Sequence, residues 1–123
     1  MREILFRGKW INGLWVYGDL RQYSETRIGI YSYDLKQTVK GIIPETVGQY
    51  TGLTVPSGKI FEHDVVTAKF KSNGARFNFA VKYDNQKGCY IFDNGYIEVP
   101  FEQIRSVRIL GNIHDNPELL KGE

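Results

Sequence analysis

Apolar and polar positions alternate with period two along much of this chain, which is the signature of half-buried strands. In residues 64–71, Val66, Ala68 and Phe70 fall on one side and Thr67, Lys69 and Lys71 on the other. Asn73-Gly74 follows. Then Phe77, Phe79, Val81 and Tyr83 share a side against Asn78, Ala80 and Lys82. An Asn-Gly pair between two such runs predicts a hairpin, because both residues tolerate the positive φ of a tight turn. Asn12-Gly13 gives the same signal between Trp10 and Ile11 on one arm and Trp15, Val16, Tyr17 and Leu20 on the other. A two-residue turn there would pair two aromatic-rich strands. Residues 27–33 put Ile28, Ile30 and Ser32 on one side and Gly29, Tyr31 and Tyr33 on the other, with the tyrosines outward. Shorter strands are expected at 3–7, 40–44, 60–61, 89–92, 96–99 and 106–113.

Residues 44–66 break this rhythm. They hold several glycines and two prolines among apolar residues, and the chain divides around them. Pro44 suits the first turn of a helix, and Glu45 suits its positive end. One helical turn is therefore expected there, ended by Gly48 or Gly52, with Val47, Tyr50 and Leu53 pinned in the core. Both glycines are expected at positive φ or where backbones approach closely. A single helical turn is expected at 101–104. A short C-terminal one should have Asn116 as N-cap and Pro117 as its first residue.

Short strands separated by turns read as a mainly β chain. Residues 57–113 suit a small SH3-like barrel or roll, within a C-terminal subdomain of 57–123. Residues 1–43 form an N-terminal β subdomain docked on it, and 44–56 form a structured joint, the whole making one compact unit.

With 41% apolar and 24% charged residues, the 123-residue chain can bury a core. The net charge of +2 is below that of a dedicated nucleic-acid domain. Cys89 is the sole cysteine, which excludes an internal disulfide and favours a reducing compartment. No apolar run approaches the roughly 20 residues of a membrane span, and no signal peptide is evident. The expected setting is cytoplasmic, with no membrane partner.

Candidate chemistry is sparse. Glu62-His63-Asp64 could supply metal ligands or an acid–base pair. On a strand, however, Glu62 and Asp64 share a face and His63 points away. His114 does not complete a site by spacing. A turn whose carboxylates accept backbone N–H groups is the expectation. Cys89 reads as a small strand residue beside Tyr90. Neither a phosphate loop nor a dinucleotide fingerprint is present. No catalytic residue, metal or cofactor is therefore expected, and the chain is not expected to be an enzyme.

Two surfaces stand out. Lys69, Lys71, Arg76, Lys82 and Lys87 cluster around one hairpin near Tyr83 and Tyr90, a composition suited to single-stranded nucleic acid. Trp10, Trp15, Tyr31 and Tyr33 are candidates for a self-association surface, since each joins a large apolar body to a polar tip.

Four stretches together resemble the YopX family of phage and prophage proteins. The first is Arg2-Glu3-Ile4-Leu5-Phe6-Arg7-Gly8-Lys9 with Trp15-Val16-Tyr17-Gly18-Asp19-Leu20. The second is Glu45-Thr46-Val47-Gly48-Gln49-Tyr50-Thr51-Gly52-Leu53. The third runs from Gly58 through Glu62-His63-Asp64 to Val66, and the fourth from Ile109 through His114 to Leu120. The family usually has Glu-Gly-Asp where this chain has Glu62-His63-Asp64, and Tyr or Phe where it has His114. The resemblance implies a mainly β fold with an SH3-like roll, a phage-encoded origin and homo-oligomers. It implies no activity. On this basis the expected function is non-enzymatic binding, either to itself or to a host or phage protein. Nucleic-acid binding through the 69–87 hairpin is the alternative.

Overall fold

A computed structural model describes residues 3–120. The ends of the two expected subdomains, residues 1–2 and 121–123, lie outside the described residues. The chain divides into two units, Met1–Gly52 and Leu53–Glu123.

In the first unit the strands are β1 (Phe6–Trp10), β2 (Trp15–Gln22), β3 (Ile28–Ser32), β4 (Gln37–Lys40) and most of β5 (Ile42–Val55). They lie in the order β4-β3-β2-β1-β5, each pair antiparallel. Val16, Ile30, Val39 and Ile42 form the buried cluster of one face, with Trp10, Leu20, Ile28 and Val47 packed against it.

The helical turn expected after Pro44 is not formed; β5 runs through the whole stretch. Thr46, Val47, Tyr50, Thr51, Thr54 and Val55 are β-branched or aromatic, and that preference outweighs the breakers. Pro44 is accommodated where the ladder is already interrupted. Pairing jumps from Arg7 opposite Gly48 to Lys9 opposite Ile43, so the residues between bulge out. Thr46 repairs the gap. Its Oγ1 accepts the Lys9 N–H at 2.8 Å and donates to the Ile43 carbonyl at 2.6 Å. Tyr50 is buried and Val47 packs on the core, as the sequence predicts. Gly52 has φ +89, with room for a Cβ. Gly48 is an ordinary paired strand position.

In the second unit, β6 (Gly58–Phe61) hydrogen-bonds to the end of β5. β7 (Asp64–Phe70), β8 (Arg76–Asp84), β9 (Cys89–Asp93), β10 (Glu98–Val99) and β11 (Ile104–Asn112) form a sheet of order β10-β9-β8-β7-β11. The predicted alternation of β7 and β8 holds: Val66, Ala68, Phe70, Phe79 and Val81 lie in one core cluster with Ile60, Phe92, Val99 and Ile104. The chain is mainly β, but the sheet is not a closed barrel among the described residues. β10 is two residues long and Pro100 follows it, removing a donor, and a 3-10 turn at Phe101–Gln103 carries the chain to β11. Pro117 opens the second 3-10 turn, Pro117–Leu120, as expected. The Asn116 side chain instead accepts the Asn112 N–H at 3.3 Å. No helix among the described residues is long and apolar enough to cross a membrane.

Candidate functional site

The first sheet carries an aromatic and cationic outer face. Residues opposite one another in an antiparallel pair share a side. Lys9 opposes Trp15, Arg7 opposes Tyr17, Asp19 opposes Tyr31, and Gly29 opposes both Arg21 and Lys40. All therefore lie on one face, away from Val16 and Ile30. The Arg7 guanidinium sits 4.8 Å from the Trp15 ring centre, the Lys9 ammonium 5.9 Å from it, and the Arg21 guanidinium 5.8 Å from the Tyr31 ring. These are cation–π distances. Tyr33 meets Tyr31 edge-on at 6.4 Å and donates its hydroxyl proton to Asp19. That hydrogen bond to a carboxylate raises the Tyr33 pKa above the usual phenol value. Tyr17 and Tyr33 are the exposed rings of the group, at 42% and 47%.

Trp10 does not join this face. A two-residue turn at Asn12-Gly13 would set Trp10 opposite Trp15. Instead Gly13 N–H bonds to the Trp10 carbonyl, and Trp10 N–H bonds to the Leu14 carbonyl. Gly13, at φ +91, lengthens the loop by one residue. Trp15 then opposes Lys9, and Trp10 turns into the core. Of the four proposed interface residues, Trp15, Tyr31 and Tyr33 come together, joined by Tyr17, Lys9 and Arg21, which the sequence did not single out.

The basic hairpin is split. Lys69 opposes Arg76, so both lie on the face of the second sheet away from its core. Lys82 is on that face too, but ion-pairs with Asp93 at 2.6 Å. Lys71 is exposed just past the end of β7, and Lys87 lies in the turn after β8. Tyr83 and Tyr90, 5.0 Å apart, occupy the opposite side, in line with Phe79 and Val81. Rings and lysines therefore do not combine there as the sequence reading required. The structure adds two cations instead. Arg105 opposes Lys69, and a bulge at Ser106, φ +55, returns Arg108 to the same face beside Thr67. Among the described residues no ion pair involves Lys69, Arg76, Arg105 or Arg108.

The family model described as YopX protein matches residues 6–121. This chain belongs to the YopX family. No curated protein and no solved structure matches it.

The Glu62-His63-Asp64 segment of this YopX-family chain is the tight turn joining β6 to β7, so strand alternation does not govern it. Asp64 is buried and its Oδ2 accepts the Phe61 N–H at 2.7 Å, the role expected of a turn carboxylate. His63 has φ +76, uncommon for a residue other than glycine. Its N–H bonds to the Val81 carbonyl, and its carbonyl accepts the Ile113 N–H. That second bond, with Asn112 opposite Asp64, extends β11 past the turn. His114 therefore reaches His63 across 51 positions of sequence, and the two rings stand 5.2 Å apart at 89°. Spacing along the chain does not reveal this pair, because the contact depends on the register of β7 with β11. Cys89, expected as a small strand residue, opens β9 and is exposed.

Asp93 is the titrating group most plainly tuned in this YopX-family unit. Partial burial pushes its carboxyl up, but the Lys82 ammonium and the Gly95 N–H, which donates to Oδ1 at 2.7 Å, more than offset that. The net shift is downward. A depressed carboxylate pKa stabilises the fold above the unfolded-state pKa and loses that contribution as pH falls through the folded value. Asp93→Asn is expected to flatten the acid limb of stability as pH falls below the ordinary Asp value of about 3.9. Urea midpoints across that window check this, and an unchanged slope would show the Lys82 pair to be inert.

Proposed function

We propose that this YopX-family chain works by binding rather than catalysis, and that the outer face of its first sheet takes single-stranded nucleic acid. The observation that carries this is the interleaving of Trp15, Tyr17, Tyr31 and Tyr33 with Lys9, Arg21 and Lys40 on one face. Bases stack on exposed rings without regard to sequence, and phosphates meet the cations between them. Same-side residues along β2 recur about every 6.7 Å, which sets the rings out as separate steps.

The test is fluorescence anisotropy with a labelled oligothymidylate at low salt, followed by Trp15 quenching. Arg21 is shared with the Asp19 carboxylate at 3.8 Å, so the expected log–log salt slope is shallow, roughly −1 to −2. Tyr17→Ala with Tyr33→Ala should weaken binding at least about tenfold, since one stacked base is worth about 1–3 kcal/mol. Lys69→Glu with Arg105→Glu, on the second sheet, should leave it unchanged. Absence of binding at low salt, or loss through the Lys69 and Arg105 pair alone, overturns the assignment.

Self-association is a second reading, favoured by the tip of the β1–β2 hairpin. Ile11 and Leu14 there are 75% and 63% exposed. Light scattering of the Ile11→Ser, Leu14→Ser variant tests it; a wild type already monomeric at micromolar concentration would end it.

A further inference from the structure

We infer that His63 and His114 form a two-histidine site for a divalent transition-metal ion of the zinc type. The two rings belong to the only histidines in the chain, and the fold brings them together within the second unit. His63 Nδ1 and His114 Nε2 stand 3.4 Å apart. That is long for a hydrogen bond, whose heavy atoms are typically about 2.7–3.2 Å apart. It is the spacing of two nitrogens on one tetrahedral ion, since zinc–nitrogen bonds of about 2.0–2.1 Å place two ligands about 3.3–3.4 Å apart. The near-perpendicular rings set the two donors side by side without stacking.

The surroundings fit the same assignment. Glu62 Oε2 lies 3.8 Å from His63 Nε2, the ring nitrogen the ion leaves outside. That is beyond hydrogen-bond reach, so the carboxylate contributes negative charge beside the site, which favours a bound cation. The His63 backbone is fixed by hydrogen bonds on both sides, to Val81 and to Ile113, so the ring is carried on an anchored stretch of main chain. His63 borders a cavity of about 600 Å³ that Lys82, Tyr83 and Asn94 also line. Water or a small anionic ligand entering from that cavity completes the coordination. Imidazole donors suit zinc, nickel and copper over magnesium or calcium.

This inference does not rest on the nucleic-acid reading, which concerns the other unit. Its test uses the full chain and the metal alone. Co²⁺ is titrated into the protein and its visible absorption followed, then Zn²⁺ is added in competition. Saturation at one ion per chain with tetrahedral-type cobalt bands is expected. Nitrogen-15 NMR of the imidazoles should shift His63 Nδ1 and His114 Nε2. His63→Gly and His114→Phe should each weaken binding by roughly 100-fold or more, beyond what losing an outer-shell partner costs. Both should remain folded, His63→Gly because glycine is at ease at φ +76. Wild type binding no more tightly than His63→Gly overturns the site, as does a zinc-induced shift on His63 Nε2 in place of Nδ1.

Discussion

Phe79→Ala is expected to lower the free energy of unfolding by about 3–5 kcal/mol, the range for deleting a buried ring. Phe79 is fully buried at the centre of the second unit's core. Its ring meets Phe70 edge-on at 5.6 Å and 84°, so the substitution removes an aromatic pair as well as the transfer energy. The cavity cannot collapse readily, because Val66 opposes Phe79 across the ladder and is itself held by Ile109 of β11. Urea denaturation measures the loss, and amide hydrogen exchange should place it in β7 and β8. A cost under about 1 kcal/mol would mean that this core is loosely packed.

Gly18→Ala is expected to cost at least about 3 kcal/mol, for a different reason. A Cβ at Gly18 would sit 1.7 Å from the Tyr31 carbonyl oxygen and 2.8 Å from its carbon. The obstacle is backbone, so no rotamer change relieves it. Gly18 opposes both Phe6 and Ser32, so moving it disturbs β1, β2 and β3 together. The aromatic outer face hangs on the same three strands, through Arg7, Tyr17 and Tyr31. Oligonucleotide affinity should therefore fall along with stability in Gly18→Ala, whereas Phe79→Ala should leave binding intact below its own melting temperature. A normal melting temperature for Gly18→Ala would show that strand β3 can move aside.

Much of the second unit was legible because its code is short-range. The alternation around Asn73-Gly74 needs only a dozen residues of context, and it correctly sent Phe77, Phe79 and Val81 to one side and Lys69 to the other. The stretch after Pro44 failed because its repair is remote. Nothing near Pro44 in sequence announces that Thr46 will accept a hydrogen bond from Lys9. Trp10 and Trp15 failed by one residue, since a hairpin loop that is longer by one exchanges the faces of everything after it. The histidine pair was invisible for a related reason: it forms only once β11 has paired with β7 through two bulges. The candidate site was thus readable as a list of residue types, aromatics and cations, but not as a surface.

The Ser106 bulge acts as a phase correction. It absorbs one surplus residue between Arg105 and Arg108, so that Ile109 still opposes Val66 in the core. The polypeptide can therefore be one residue shorter at this point without inverting the rest of the strand. Loss of a codon at that spot leaves every later side chain of β11 on its own face, while a similar length change in the bulge-free pairing of β7 with β8 would drive charge into the interior.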